Sequence, residues 1–313
     1  MTESEEIRNN NGSVVTTDIE VRCCNTDALR DQLESTIKEW AIRDNWPAGY
    51  DSIKFSTLID PEANFVGLLN KEIVSMVSAV NYGDQLSFIG TFLTADGHKG
   101  KGYGTQLFRE CLQHAGDRVT GLYSNQRMTE WYKRHGFVQT GTCSIFRKPY
   151  TGKVDLPADF PVACIIPAKD LDFADLCRFD RSYFPADRPE FLRAWLSHPK
   201  VILAPAFVKD GVIHGYGVLR QCIGDTICKF GPLFADSFVV AEQLALAMLN
   251  AVPEGTEIVQ FDCLDDNPQT DRLAEKVGFS PTGELHGGRV LWKNGRPEFD
   301  VSGVYAYTSG AFG

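Results

Sequence analysis

Apolar and polar positions in the first half of the chain follow two periods, one typical of strands and one typical of helices. The strand-like runs are Ile19–Arg22, Asn64–Leu69, Ile73–Asn81, Gln85–Thr94, Val119–Tyr123 and Thr142–Arg147. Helical spacing predicts helices at Asp27–Ile42, Gly104–Ala115 and Arg127–His135. This mixed order of strands and helices predicts an α/β fold in which one sheet carries helices on both faces.

The second half repeats this plan. Its predicted strands lie near Val201–Lys209, Val212–Gln221, Thr226–Leu233 and Glu257–Asp262. The segment Asn125–Phe137 is similar to Asn267–Phe279 at an offset of 142 residues, and Phe65-Val66 matches Phe207-Val208 at the same offset. A repeat of this length indicates a duplicated domain and not a solenoid.

The length and composition agree with a duplication. A chain of 313 residues with 43% apolar residues is long enough for two domains with separate cores. We predict a disordered N-terminal tail at 1–17, a first domain at 18–148, a linker at 149–162 and a second domain at 163–313. The linker contains several prolines and little periodicity.

Net charge, the length of apolar runs, and the cysteines and histidines indicate which partners and which kinds of site to expect. A net charge of −10 argues against a nucleic-acid partner and is compatible with a cationic amine substrate. The chain has neither a membrane-spanning apolar run nor the features of a signal peptide, which predicts a cytoplasmic protein with no membrane partner. Nine cysteines without a Cys-x-x-Cys pair and six separated histidines predict reduced thiols and no metal site.

A glycine-rich turn between a predicted strand and a helix is the clearest sign of chemistry. Gly100, Gly102 and Gly104 allow backbone amides to form an anion nest at the start of the helix, with Lys99 and Lys101 nearby. A P-loop requires Lys-Ser/Thr after its last glycine, and a Rossmann fingerprint requires glycine where Thr105 stands. The turn therefore predicts a different kind of phosphate site, with a surface turn that binds no ligand as the alternative.

This loop, Lys99-Gly-Lys-Gly102-Tyr-Gly104, resembles the acetyl-CoA loop of the GNAT acetyltransferases, Arg/Gln-x-x-Gly-x-Gly/Ala, with lysine at the first position. The resemblance extends to Trp46–Tyr50, the strand pair Asn64–Asn81, and the helix Asn125–His135 with Gly136-Phe137. The ending Tyr305–Gly313 resembles a subgroup with two acetyltransferase-like halves. The resemblance implies two tandem GNAT-like domains, each a mixed, mostly antiparallel twisted sheet with helices on both faces. It also implies acetyl-CoA as cofactor and an amine acceptor, and it is compatible with a homodimer.

The resemblance also implies the residues of the cofactor site. These are Phe92, Leu93, Thr94, Lys99, Gly100, Lys101, Gly102, Tyr103, Gly104, Thr105 and Asn125. Tyr132 is the candidate acid that protonates the departing CoA thiolate, with simple packing against the sheet as the alternative. Asn125 has two compatible roles, as N-cap of the following helix and as a partner of the CoA arm.

The acceptor site is assigned to the loop Asp44–Asp51, because the resembled family uses the segment after its first helix for this purpose. The candidate substrate-binding residues are Trp46, Tyr50, Asp51 and Tyr82. For Trp46 and Tyr50, the alternative is a hydrophobic plug under the loop. An alkylamine must also lose a proton before it attacks. Asp84, Asp44, Asp51 and a water chain are the open candidates for the base.

The second half lacks the cofactor motif. Val240–Ala245 stands where the first half has its glycines, and Ala274 matches Tyr132. Gly231-Pro232 is expected to interrupt the fourth strand. We therefore predict one N-acetyltransferase site, which transfers an acetyl group to the primary amine of a small molecule or peptide in a ternary complex. The alternatives are an acyl-CoA-binding regulator without catalysis, and transfer of a longer acyl group or to a hydroxyl.

Overall fold

The computed structural model describes residues 19–283 and 288–313, so the predicted tail at 1–17 lies outside the described residues. In the first half, β1 and α1 pass through a loop to α2, a β-meander follows, and α3 leads into β5, α4 and β6. The bounds are β1 Glu20–Cys23, α1 Asp27–Arg43, α2 Ser52–Ile59, β2 Asn64–Leu69, β3 Glu72–Tyr82, β4 Leu86–Thr94, α3 Tyr103–Ala115, β5 Val119–Asn125, α4 Thr129–Arg134 and β6 Val138–Pro149.

The second half follows a similar order with short additions. Its elements are β7 Ile165–Pro167, α5 Phe173–Tyr183, α6 Pro189–Ser197, β8 Val201–Leu203, β9 Pro205–Lys209, β10 Val212–Gln221, β11 Ile227–Ala235, α7 Phe238–Ala251, β12 Ile258–Leu264, α8 Gln269–Val277, β13 Ser280–Pro281, β14 Gly288–Lys293 and β15 Val304–Ala306. The aligned asparagines have the same local role, since the side chains of Asn125 and Asn267 each accept a backbone N–H at 3.0 Å. The internal repeat is therefore also a repeat of structure.

The described strands form one sheet whose two halves exchange a strand at the centre. Its path is β1-β2-β3-β4-β5-β14-β6-β12-β11-β10-β9-β7. β14, from the second half, lies between β5 and β6 of the first half, while β6 pairs with β12 of the second half. The two halves therefore share their central hydrogen bonds as well as side-chain contacts.

A glycine in β5 allows the exchanged strand to pack closely. Gly121 lies opposite Trp292 of β14, and a Cβ on Gly121 would come within 2.4 Å of the Trp292 ring. The absence of a side chain therefore gives the indole a place against β5. A core cluster also joins the halves, with the rings of Phe55 and Trp195 4.9 Å apart.

These observations confirm the α/β class and the mixed, mostly antiparallel sheet flanked by helices, in which β4–β5 and β11–β12 are parallel pairs. The structure differs from expectation at Gly231-Pro232, because β11 continues through this dipeptide and only shifts its register with β10.

None of the helices in the described part of the chain has the length and apolar character required to cross a membrane. The predicted linker bounds stay a prediction.

Candidate functional site

Two parallel strands of the first half separate at their carboxyl ends and open a wedge in the sheet. β4 and β5 pair only from Leu86 to Ile89 and from Val119 to Leu122. Beyond this point β4 bulges, since its pairing with β3 shifts register and Thr91 has a φ of 49°. The end of β5 pairs with β14 on its other side. The wedge exposes backbone groups of β4 to a ligand.

The glycine-rich loop closes one end of this wedge. Gly100 and Gly102 have φ values of 77° and 85°, a region that favours glycine, and Gly102 is the N-cap of α3. The free amides of the first turn of α3 and the positive end of its dipole therefore lie at the wedge. Lys99 forms an exposed ion pair of 2.7 Å with Asp96, and Lys101 is exposed at the same loop.

A cavity of about 650 Å³ extends from the loop along the wedge. Its lining includes ten residues predicted for the site, namely Phe92, Thr94, Lys99, Gly100, Gly102, Tyr103, Gly104, Thr105, Asn125 and Tyr132. Leu93 packs instead against the cluster under α1, and Lys101 is not one of the lining residues. We call this space the cofactor cavity.

The cavity also contains residues that sequence reasoning missed. They are His98, Tyr123, Ser124, Met128, Trp131 and Gly310, together with the start of the bulge in β4. His98 stacks on Tyr103 with ring centroids 5.9 Å apart. His98, Ser124 and Trp131 each directly precede a predicted residue, which was the available signal, whereas Gly310 is more than 200 residues away in sequence.

Tyr132 lies on α4 with its ring in an aromatic cluster and on the wall of the cofactor cavity. Its centroid is 5.5 Å from that of Phe108 and 6.3 Å from that of Phe92. Burial raises the pKa of its phenol, with a smaller contribution from Cys111. The hydroxyl therefore stays protonated at neutral pH. Tyr132 therefore both packs in the aromatic cluster and borders the cofactor cavity.

Asn125 ends β5 and caps the turn that leads into α4. Its Oδ1 accepts the N–H of Met128 at 3.0 Å, so Asn125 is an N-cap, but of the short 3₁₀ turn 126–128 that precedes α4 and not of α4 itself. The residue is exposed and lines the cofactor cavity.

The four predicted acceptor residues lie at the junction of the two halves and outside the lining of the cofactor cavity. The Tyr50 hydroxyl donates to Asp225 at 2.8 Å, and Asp51 is 3.0 Å from His198 Nε2. Trp46 packs against the cluster under α1, and the buried Tyr82 hydroxyl donates to the carbonyl of Phe312 at 2.8 Å. Their role in acceptor binding stays a prediction.

The carboxylates considered as bases are also absent from this lining. Asp84 is fully exposed and 3.8 Å from Arg118, while Asp44 pairs with its neighbour Arg43 at 2.8 Å. Among the described residues, the lining of the cofactor cavity includes neither aspartate nor glutamate. A proton from an attacking amine must therefore leave this cavity through another group or through solvent.

The second half has the same wedge, but its own chain fills it. β11 and β12 pair only up to Phe230 and Phe261, and β15 then pairs with β11 at Leu233 and Phe234. A Cβ on Gly231 would come within 2.5 Å of the carbonyl oxygen of Thr308. The aligned stretch 240–245 lies inside α7, and most of its side chains are buried in the core.

The segment that follows β15 crosses to the first half and borders its site. Thr308 accepts a hydrogen bond from Arg188 Nη1 at 2.8 Å, and Gly310 lines the cofactor cavity. A Cβ on Gly90 would come within 2.5 Å of Ala311 Cα, so this glycine permits the close approach of the segment to β4. We call residues 308–313 the C-terminal segment.

Comparison with protein families matches each half separately. Residues 26–137 match the model described as acetyltransferase (GNAT) family, and residues 176–286 match the model described as acetyltransferase (GNAT) domain. A holothin acyltransferase of Pseudoalteromonas sp. (strain SANK 73390) is 32% identical over 226 residues, which cover 71% of this chain and 73% of that protein.

Solved structures agree on the fold. An 18% identical protein of Pyrococcus horikoshii, described as an acetyltransferase, superposes with a TM-score of 0.74 over 96% of this chain and 98% of its own. A tandem GNAT protein from the clavulanic acid biosynthesis pathway is 13% identical, with a TM-score of 0.59 over 90% of this chain and 100% of its own. These low identities support the fold alone.

Proposed function

The chain belongs to the GNAT family of acyltransferases, whose members use acyl-CoA, and from that premise we propose that it moves an acetyl group from acetyl-CoA to the primary amine of a small molecule or peptide. The observation that carries the proposal is the cofactor cavity, which joins the glycine loop, the open wedge and Tyr132. Pyrophosphate would lie on the amides of Gly102–Gly104 and the pantetheine arm along β4.

The transfer is proposed as direct attack in a ternary complex. The neutral amine attacks the thioester carbonyl, the C–S bond breaks, and the sulfur leaves as a thiolate that takes a proton from the Tyr132 hydroxyl. Burial keeps this phenol protonated, so the proton is in place before the sulfur leaves; burial also disfavours the tyrosinate, which regains a proton from solvent to complete the cycle. The ammonium proton of the amine leaves to solvent, in keeping with the carboxylate-free lining of the described cavity.

The small space beside Tyr123 supports acetyl over a longer acyl group as the group transferred. The neighbouring apolar cavity, which shares Tyr123 with the cofactor cavity, measures only about 20 Å³ and is enclosed by Phe88, Trp292 and Tyr307, among others. A space of this size is close to the minimum for one water molecule. A longer chain would require these aromatic side chains to move.

A panel of primary amines incubated with acetyl-CoA, with release of free thiol as the readout, tests this proposal. The same assays with hexanoyl-CoA in place of acetyl-CoA compare a longer acyl donor with a short one. We expect turnover with acetyl-CoA and at least one amine, and slower turnover with the longer donor. Faster turnover with hexanoyl-CoA would assign a longer acyl group, and acyl transfer confined to alcohols would exclude the amine.

A further inference from the structure

A second small cavity lies beside the cofactor cavity, where the loop Asp44–Asp51 meets the second half. It measures about 40 Å³ and its lining includes Pro47, Gly49, Arg220, Lys229, Thr308 and Ser309. Ser309 lines this cavity and Gly310 lines the cofactor cavity, and successive Cα atoms are about 3.8 Å apart. A single stretch of the C-terminal segment therefore borders both spaces.

Arg220 brings a buried charge to this cavity. Only 4% of the residue is exposed, and its Cα lies opposite that of Lys229 across β10 and β11. Within the described residues, its Nε and Nη1 have no hydrogen-bond partner, and Nη2 is 3.2 Å from His198 Nδ1. Burial lowers the pKa of the guanidinium to about 10, which leaves it charged at neutral pH.

The charged groups around Arg220 are already paired with one another. Lys229 donates to Asp262, and His198 is 3.0 Å from Asp51. A second buried arginine, Arg188, donates from Nε and Nη2 to the two carboxylate oxygens of Asp180 at 2.8 Å. An unpaired buried charge is strongly unfavourable, and Arg220 lacks the carboxylate that Arg188 has.

We infer that Arg220 binds a carboxylate of the acceptor, so that the substrate is an amine that also carries an acid group. This inference rests on the proposed acetyl transfer to an amine. The unpartnered Nε and Nη1 can each donate to a carboxylate oxygen, and a cavity of about 40 Å³ exceeds the space that one water requires. The rest of the molecule would extend past Ser309, with its amino group toward the cofactor cavity.

A structural role is the competing explanation. The guanidinium lies 3.7 Å from the ring centroid of Trp195 and 4.9 Å from that of Phe55, so that aromatic stacking alone could retain it. The experiment must therefore separate loss of anion binding from loss of stability.

The first measurement compares acceptors in pairs. We would assay ω-amino carboxylates of two to six carbons against n-alkylamines of the same length, because the series covers different spans between amine and acid. At the chain length with the highest turnover, we expect kcat/KM for the ω-amino carboxylate to exceed that for the n-alkylamine by at least about tenfold. Arg220→Gln should remove this preference and Arg220→Lys should retain part of it. Arg193→Gln, which removes an exposed guanidinium 3.9 Å from the Phe173 ring, should leave the preference unchanged.

The second measurement does not depend on turnover. Calorimetric titration of the CoA-loaded wild-type protein with butyrate and with butyramide should show tighter binding of the anion, and Arg220→Gln should abolish the difference. Equal binding of the two probes by the wild type would overturn the inference, even if Arg220→Gln does not fold. So would a variant that loses thermal stability but keeps the preference. Arg220-dependent butyrate binding without turnover of any amine would retain the anion site and reject acetyl transfer.

Discussion

Replacement of Gly102 by valine tests the cofactor loop most directly. The residue has φ 85° and ψ −5°, and a β-branched side chain in this left-handed region costs about 1–3 kcal/mol of folding free energy. The new side chain would also stand between the amides of α3 and the pyrophosphate. Loss of two charge-assisted hydrogen bonds, each worth about 1.5–3 kcal/mol, predicts CoA binding that is weaker by at least about 100-fold.

Gly83→Val provides a matched control for the strain. Gly83 has φ 62° in the turn between β3 and β4, a Cβ there meets nothing within 4 Å, and the residue is not part of the cofactor cavity lining. Both variants should lose similar thermal stability by differential scanning calorimetry, but only Gly102→Val should lose CoA affinity in isothermal titration. A folded Gly102→Val protein with wild-type affinity would refute the assignment of the loop.

Three further predictions concern the chemistry and the asymmetry of the halves. Tyr132→Phe should lower kcat by about 100-fold with little change in the Kd of acetyl-CoA, and unchanged turnover would make the tyrosine purely structural. Since burial raises the pKa of Tyr132 above its ordinary 10.0, the acid stays protonated from pH 7 to 9.5, and kcat/KM should rise with pH as the amine deprotonates; a decline over this range would contradict it. Titration of the intact chain with CoA should give one site, because β15 fills the second wedge, and a stoichiometry near two would contradict this.

The local parts of the fold could be predicted from sequence. The strands Asn64–Leu69 and Val212–Gln221 have the predicted bounds, and the glycine loop lies between β4 and α3 as expected. These features depend on short-range periodicity and on backbone conformations that glycine alone adopts readily. The helix Ser52–Ile59 was not predicted, because eight residues carry too little periodicity to separate them from a loop.

The long-range parts could not be predicted. Nothing within residues 288–293 indicates that β14 pairs with β5 and not with a strand of its own half. This choice depends on contacts such as Trp292 against Gly121, which are far apart in sequence. The position of Arg220 was missed for the same reason, since an arginine in a strand is unremarkable until its burial and its partners are known.

The plugged wedge of the second half has an evolutionary consequence. In a dimer of two identical subunits, every substitution occurs twice, so a change that closes one active site closes both. In this chain the two copies can diverge independently. The segment from β15 to residue 313 closes one wedge and then forms a wall of the other cavity. Because the second wedge is closed by its own strand, the residues that close it carry no requirement to form a site of their own and are free to border the cavity of the first half.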